Sequence, residues 1–460
     1  MKLNILLVKP PQKTNEVQPP LGLGYLASAV KDISNVKILD CIKENYSIKD
    51  YFSFLLKNKD INVVGFQCYT VDLNTVKELI KITRNNIKDV VIILGGPHVS
   101  LDPIGSMNYL MPDFCFCGEA EIGFTNLIKK LSGVNINFKD VPGLVYKENN
   151  RIKINENKLV ENLDEYEIDW ELFSIEEYPL APHGAFCKQY PIAPLIVTRG
   201  CPFQCNYCGA HLISGRKIRA HSVDYVINQI EFLHKKYHIK EIHIEDDNFT
   251  INRKFVVEFC NKLINKNLGI TFTFPNGIRL DTLDSDMIKL MKRAGLYAVS
   301  VGIESGSDRI LRLMNKNLTT SKIKEKVDLL TNEGLDVVGF FIVGYPGETI
   351  NDINKTIDFA CLLKLKRATF SAFKPFPGTL IYNELVKKGE IKELRFEDFS
   401  LDKVAWSPKG ISTKRLKALR RKAFLKFYLR PKIIVKMLSE IKNYENLKFI
   451  IIRIFSWLTY

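Results

Sequence analysis

The chain has 460 residues, of which 46% are hydrophobic and 25% charged, and it carries a formal net charge of +15. It is too long for one hydrophobic core, and its composition is that of an ordinary globular protein, which excludes a fibrous or disordered chain. No apolar run reaches the length of a bilayer span, and the opening residues predict no signal peptide. Ten cysteines in that context predict a cytoplasmic protein that uses thiols for metal or catalysis rather than for disulfides.

From Lys2 to about Leu131, short Val- and Ile-rich runs alternate with amphipathic stretches. Strands are predicted at Leu3 to Val8, Val36 to Leu39, Val63 to Cys68 and Val90 to Leu94, with helices at Leu23 to Lys31, Asp50 to Lys57 and Leu73 to Asn86. This alternation gives an α/β fold with a doubly wound parallel sheet, whose ligands bind at the carboxyl ends of the strands. Those ends carry Lys9-Pro10-Pro11, Gln67-Cys68-Tyr69-Thr70 and Gly95-Gly96-Pro97-His98, and paired glycines there let a flat ligand approach the backbone. With Pro19-Pro20-Leu21-Gly22-Leu23-Gly24-Tyr25 and Gly118-Glu119-Ala120-Glu121, the stretch 1–135 resembles the cobalamin-binding domain that precedes many radical S-adenosylmethionine (SAM) cores. The resemblance implies cobalamin contacts at Pro10, Leu21, Gly22, Tyr69, Thr70, Gly95, Gly96, Pro97, Gly118 and Glu119. One departure is plain: the cobalt-ligating DxHxxG motif would fall at Asp40-Cys41-Ile42-Lys43-Glu44-Asn45, which has neither the His nor the Gly. The resemblance then implies a cobalt without a histidine from this motif. His98 is read as a polar loop residue.

Residues 136–190 read as an irregular connector, with a turn and strand at Val141 to Tyr146, a polar hairpin near Arg151 to Lys158, and Pro179, Pro182, Pro191 and Pro194 as punctuation.

Cys201, Cys205 and Cys208 follow within eight residues. A loop this short can wrap three thiolates around one iron–sulfur cube and leave one iron without a protein ligand. An open metal position is where substrate chemistry takes place. Two plainer readings stand beside it, namely zinc with His211 as a fourth ligand, or three unrelated buried thiols. The spacing resembles the CxxxCxxC signature of the radical SAM superfamily. The resemblance implies a 4Fe–4S cluster whose open iron binds SAM and cleaves it reductively to a 5′-deoxyadenosyl radical.

After Ile196-Val197-Thr198, strands are predicted near Glu241 to Glu245, Ile270 to Phe274, Ala298 to Ile303, Val337 to Val343 and Thr369 to Phe373. Helices fall between them at Val223 to Tyr237, Arg253 to Asn265, Ser285 to Ala294, Ser321 to Glu333 and Ile350 to Leu363. The count agrees with the partial (β/α)6 barrel that the resemblance implies over 191–385, with its site at the carboxyl ends of the strands. SAM contacts are expected there from Asp246, Asp247, Asn276, Arg279, Glu304, Ser305, Gly344 and Pro346. The plainer alternatives are surface acids, an Arg279 that neutralises a structural carboxylate, and a Glu304 that caps a helix. Catalytic acid–base residues are unknown.

The region 386–460 reads as a basic helical tail. Twelve Lys or Arg and no Asp or Glu lie between Lys403 and Ser439. Ser412 is a plausible N-cap for a helix through Leu416, Leu419, Ala423 and Phe427 that ends at Pro431 and covers the barrel. Phe427-Tyr428-Leu429-Arg430-Pro431 resembles tails of cobalamin-dependent radical SAM proteins. Leu447 to Tyr460 is apolar with Lys448 and Arg453 interspersed, too short to span a bilayer but able to lie on one.

The resemblance as a whole implies a cobalamin-dependent radical SAM enzyme methylating an unactivated carbon, served by an external electron donor such as flavodoxin or ferredoxin. Rival readings are a cobalamin-assisted cyclase, rearrangement or redox enzyme, a methylthiotransferase acting on RNA, and a non-catalytic cobalamin or iron–sulfur sensor. Nucleic acid is not the expected partner, and peripheral membrane contact through the tail is compatible with the sequence. The substrate is not legible.

Overall fold

In a computed structural model, which describes residues 2–12, 14, 17–179, 187–391, 394–400, 402–439, 441, 447 and 451, apolar strands form β1 (Leu3–Lys9), β2 (Ser34–Asp40), β3 (Val63–Gln67) and β4 (Val91–Gly95). Helices α1 (Leu21–Val30), α2 (Ile48–Lys57), α3 (Leu73–Asn86), α4 (Pro97–Leu101) and α5 (Pro103–Leu110) connect them and follow β4. Strand β5 (Phe114–Phe116), helix α6 (Glu121–Leu131) and the hairpin β6 (Leu144–Glu148) and β7 (Arg151–Ile154) complete this half. The sheet runs β2-β1-β3-β4-β5-β6-β7. Its first five strands are parallel, and the last two pair antiparallel. Both faces are covered by apolar clusters, so the strands read as continuous hydrophobic runs.

Two features correct the sequence reading. The hairpin expected within a connector is the continuation of the first sheet, and β5 was missed because three residues carry no periodicity. The chain between Leu163 and Tyr178 is a buried strap rather than a loose one. Its Trp170 Nε1 donates to Gln229 Oε1 at 2.9 Å, and its Tyr178 hydroxyl donates to Asp40 Oδ2 at 2.8 Å. Pro182 lies outside the described residues.

The second half opens with β8 (Ile192–Leu195), then β9 (Thr198–Arg199), α7 (Ala210–Ser214), β10 (Arg219–Ala220), α8 (Val223–Tyr237), β11 (Glu241–Ile244), α9 (Arg253–Lys266), β12 (Thr271–Ile278) and α10 (Ser285–Arg293). It continues with β13 (Leu296–Glu304), α11 (Asp308–Leu313), α12 (Thr320–Asn332), β14 (Asp336–Val343), α13 (Ile350–Leu362), β15 (Arg367–Ala372) and α14 (Leu380–Lys387). Six strands pair in parallel in the order β8-β11-β12-β13-β14-β15. The first barrel strand lies a few residues earlier than expected and contains Pro194. An edge strand tolerates that proline because one side of its ladder is unpaired. Thr198–Arg199 instead forms a two-stranded antiparallel ladder with Arg219–Ala220.

Helix α15 (Thr413–Tyr428), capped by Ser412, covers the other edge of the barrel. Its Leu416, Leu419, Ala423, Phe424 and Phe427 are buried. Arg420 Nε donates to the Phe370 carbonyl at 2.8 Å and the Tyr428 hydroxyl donates to the Ala368 carbonyl at 2.9 Å, so side chains occupy the edge of β15. Pro431, expected only to end this helix, also opens α16 (Pro431–Ser439), a position where its fixed φ suits a first turn. Apart from Leu447 and Ile451, the apolar segment Leu447 to Tyr460 lies outside the described residues. Among those described, no helix is long and apolar enough to cross a membrane.

Candidate functional site

The carboxyl ends of both sheets meet at one cavity of about 330 Å³. From the first half come Gly22, Leu23 and Tyr25 of α1, Gln67 and Tyr69 after β3, Gly95, Gly96 and Pro97 after β4, and Gly118 to Glu121 after β5; from the barrel come Thr198, Arg199, Ile213 and Glu245 to Asp247. Its apolar depth reaches Leu7, Phe66, Ile93, Phe116 and Phe124 inside the first domain.

Glycine shapes this opening in two ways. A Cβ built on Gly22 or Gly95 meets nothing within 4 Å, so the missing side chains leave space. Gly96 is different, because its φ of +105° and a Cβ position 3.0 Å from Cys68 backbone atoms demand glycine for the turn itself. Gln67 lines the cavity with a buried Oε1 that accepts no hydrogen bond. An orphaned acceptor in a cavity wall fits a ligand that carries donors. Tyr69 also lines the cavity and is 45% exposed, so its ring is open to a ligand there.

Three expected contacts are not among the described residues that line it. Thr70 turns inward, its hydroxyl 3.0 Å from His98 Nδ1. Leu21 packs into the barrel's core, and Pro10 is buried beside the strand. Glu119 lines the cavity, yet its carboxylate is held by both terminal nitrogens of Arg219 at 2.6 Å. Next to it, Arg199 Nη1 donates to Glu121 Oε1 at 2.6 Å and its guanidinium stacks 4.5 Å from the Tyr25 ring. These buried charges join the two halves across the cavity rim. At the stretch where DxHxxG would fall, Asp40 accepts from Ile42 N, Lys43 N, the Tyr178 hydroxyl and Lys9, which leaves it locked in place.

The cysteine loop projects from the barrel mouth. Gly200 precedes it at φ +99°, with a Cβ position 2.2 Å from the Lys217 carbonyl oxygen, so only glycine fits. Cys201 N donates to Gly215 O at 3.0 Å and Cys208 N to Cys205 O at 3.2 Å. Asn206 N donates to Met314 O at 3.2 Å, and Asn315 Nδ2 to Gln204 O at 2.7 Å, which ties the loop to the turn after α11. The thiols feel one another: burial pushes Cys208 up to about 11, helped by Cys205, Asp247 and Cys201. Cys41, Cys68 and Cys115 are buried in the first domain's core as small apolar residues.

The strand-end acids divide their work. Asp246 is buried and accepts from Val197 N at 2.7 Å and from Thr198 N and Oγ1 at 2.8 Å, while burial lifts its carboxyl to about 7 against those bonds. It fixes the end of the first barrel strand. Asp247 opens to the cavity and lies within the field of Cys201 and Cys208. Asn276 is exposed and donates to Glu245 O at 2.9 Å.

Arg279 is committed. Its fork holds Asp281 with two bonds of 2.8 Å, it donates to Lys316 O at 2.9 Å, it stacks 3.6 Å from the Phe203 ring, and its Nη1 lies 3.9 Å from Cys205 Sγ. Glu304 sits at φ +64°, a backbone strain of about 1–3 kcal/mol for a residue with a side chain, and accepts from Lys316 Nζ at 2.8 Å. Burial opposes the charge on Lys316, but Glu304 and Cys205 outweigh it and raise its pKa. Ser305 and Gly344 serve packing. The Ser305 hydroxyl lies 3.1 Å from Thr356 Oγ1, and a Cβ on Gly344 would sit 2.5 Å from Leu416 of α15. Pro346 is half-buried in that same turn. Arg219 and Lys316 escaped the sequence reading, since neither belongs to a short motif, while Tyr25 and Gln67 stood in the quoted runs without being singled out as contacts.

Helix α4 wedges between the two halves. A Cβ on Gly209, next to Cys208, would lie 2.5 Å from Leu101 Cδ2, and one on Gly378 would lie 2.4 Å from Leu101 O. The helix that follows the Gly95-Gly96 turn therefore rests directly on the cysteine loop.

Residues 195–360 match the family model described as the Radical SAM superfamily, and residues 12–128 match that of the B12 binding domain. The sequence is 33% identical over 448 residues to an uncharacterized methyltransferase of Pyrococcus horikoshii, covering 95% of each chain. It is 26% identical over 420 residues to the cytidylyl-2-hydroxyethylphosphonate methyltransferase of Streptomyces wedmorensis, covering 80% of this chain and 78% of that one. The radical S-adenosylmethionine methyltransferase TsrM from Kitasatospora setae, solved with cobalamin and a 4Fe–4S cluster, shares the fold, with a TM-score of 0.69 at 16% identity over 84% of this chain and 75% of that one. A three-cysteine loop at a barrel mouth, joined to a B12-type sheet, defines a radical enzyme with a second cofactor domain. The chain belongs to the cobalamin-dependent radical SAM family, and the two relatives described above are named methyltransferases.

Proposed function

We propose that this enzyme methylates an unactivated carbon of a small-molecule, lipid or peptide substrate, with cobalamin, SAM and a 4Fe–4S cluster meeting at the interdomain cavity. The observation that carries this reading is the shared lining, in which Gly22, Tyr69, Gly95, Gly96 and Pro97 face Thr198, Asp246 and Asp247 across one space. When bound, the cluster supplies the electron that cleaves SAM, and cobalamin supplies the methyl carrier.

Cys201, Cys205 and Cys208 hold the cluster. Asp247, beside two of these thiols and open to the cavity, receives the protonated amino group of SAM, with Asn276 at the same rim. Arg279 and the Glu304–Lys316 pair brace and charge the surroundings of Cys205 instead of contacting SAM. Gly22 and Gly95 make room for cobalamin, Gln67 offers it an acceptor, and Tyr69 lies against it. The arginine–glutamate seam closes the rim and keeps water from a radical. An external donor such as flavodoxin or ferredoxin provides the electron. The domain limits proposed are 1–135 with the sheet continued by the hairpin to Ile154, a strap over the rest of 136–190, then 191–385 and 386–460.

The test is anaerobic reconstitution with iron, sulfide and hydroxocobalamin, followed by reduction with SAM. Deoxyadenosine release together with methyl label in a substrate supports the reading. Deoxyadenosine without methyl transfer points to cyclisation or rearrangement, and no SAM cleavage by the loaded protein points to a sensor.

A further inference from the structure

The basic tail has no part in the chemistry above, and its surface has an unusual make-up. Helix α16 uses Ile433 and Met437 to pack on the barrel, and turns Ile434, Val435 and Leu438 outward at 39%, 65% and 61% exposure. These three fall within about a 100° arc of the helix, and Lys432 and Lys436 border it on one side, between the arc's Val435 edge and the packed face. Around the elbow, Leu425 and Leu429 of α15 extend the apolar strip at 37% and 64% exposure. Lys414, Arg415, Lys417 and Arg421 are exposed on α15, and the sequence from Lys403 to Ser439 holds no acid, although Lys426 pairs with Asp358 of α13.

We infer that the elbow of α15 and α16 docks on an anionic lipid membrane surface. An apolar strip rimmed by Lys and Arg is the pattern of a helix that lies in the headgroup layer, where aliphatic side chains enter the acyl boundary and cations meet acidic headgroups. A second copy of the same surface would bring like charges together. Nucleic acid would match the cations but gains nothing from exposed Val435, Leu438 and Leu429, and the described elbow offers it no exposed aromatic platform. Beyond an intervening stretch that holds Glu440, Lys442 and Glu445, the sequence Leu447 to Tyr460 is again apolar and basic, with Trp457 and Tyr460 of the interface-favouring type and Lys448 and Arg453 as its only charged side chains. The elbow sits beside the loops that precede β14 and β15, at the amino ends of the barrel strands, so docking leaves the interdomain cavity facing water.

The experiment is cosedimentation of the full chain with phosphatidylcholine vesicles, with and without phosphatidylglycerol, at low and high salt. Binding should require phosphatidylglycerol and weaken with salt. Val435→Glu with Leu438→Glu, and separately Lys432→Glu with Lys436→Glu, should each weaken it by roughly tenfold or more while circular dichroism stays unchanged. Full chain left in the supernatant with phosphatidylglycerol vesicles overturns the inference, as does undiminished binding by both variants. It also falls if the parent is a dimer that Val435→Glu dissociates, or if the lysine variant loses affinity for polynucleotide but not for vesicles.

Discussion

The ligand ends of the two sheets achieve their shapes by opposite means. At the end of the first sheet, side chains are missing: Gly22 and Gly95 face open space, the wall is apolar, and one acceptor, Gln67 Oε1, waits unpaired. At the barrel mouth, side chains are crowded and charged. Asp246, Arg279, Glu304 and Lys316 are all buried and all partnered, and Glu304 holds a strained backbone. A preformed void suits a large rigid group bound whole, whereas a network of buried charges suits a site where charge changes during reaction. The two ends nonetheless share a wall through α4.

The most severe way to break this division is to remove one thiol. Cys205→Ala should abolish deoxyadenosine formation and most iron binding, while cobalamin retention, read from the visible spectrum, stays at the parental level. Loss of both cofactors together would mean that the ends are not separable. Next in size is the seam between them. Glu119→Gln leaves the buried Arg219 guanidinium without its counter-charge, and breaking such a pair costs about 3–5 kcal/mol. The unfolding free energy from denaturant titration should fall by that amount, and a fall under about 1 kcal/mol would show the pair to be solvated in practice.

The glycines sharpen the comparison with a smaller change. Gly95→Val should cut cobalamin affinity by roughly tenfold or more and leave thermal stability and cluster assembly unaltered, because its side chain enters empty space. Gly96→Val should destabilise the fold, because the turn needs positive φ and approaches Cys68. Equal effects of the two substitutions would refute the distinction between void and turn.

Much of this was legible because strands and strand ends are local. Val63–Gln67 and Val91–Gly95 announce themselves by Val and Ile, and the residues that line the cavity follow them directly. Partnerships were not legible. Arg219 meets Glu119 a hundred residues away, and nothing in either neighbourhood signals the pair. Arg279 was expected to reach a ligand or else to neutralise a structural carboxylate, and the structure gives it Asp281, two positions on. Gly344 was expected to contact SAM, but the space beside it is filled by Leu416, 72 residues later in the chain. Composition reports which residues are available for a site, while tertiary packing decides which are already spent.

The smallest effect concerns a charge the barrel mouth keeps neutral. Glu348, in the turn after β14, is 2% exposed; its Oε2 accepts from Gly344 N and Tyr345 N, and its Oε1 is buried without a partner. Burial raises its carboxyl from the ordinary 4.5 to about 8, further aided by Asp352, against those backbone bonds and Arg309. The folded protein therefore keeps a proton that the unfolded chain has released, and stability falls as pH rises from about 4.5 toward 8. Glu348→Gln supplies a neutral isostere with a donor in place of the acid proton, so it should flatten that slope. The variant should match the parent near pH 5 and exceed it at pH 9 by roughly 1–3 kcal/mol in denaturant unfolding. Parallel stability curves for the two proteins across that range would mean that Glu348 is ionised in the fold, and that the barrel mouth tolerates one more negative charge than its packing implies.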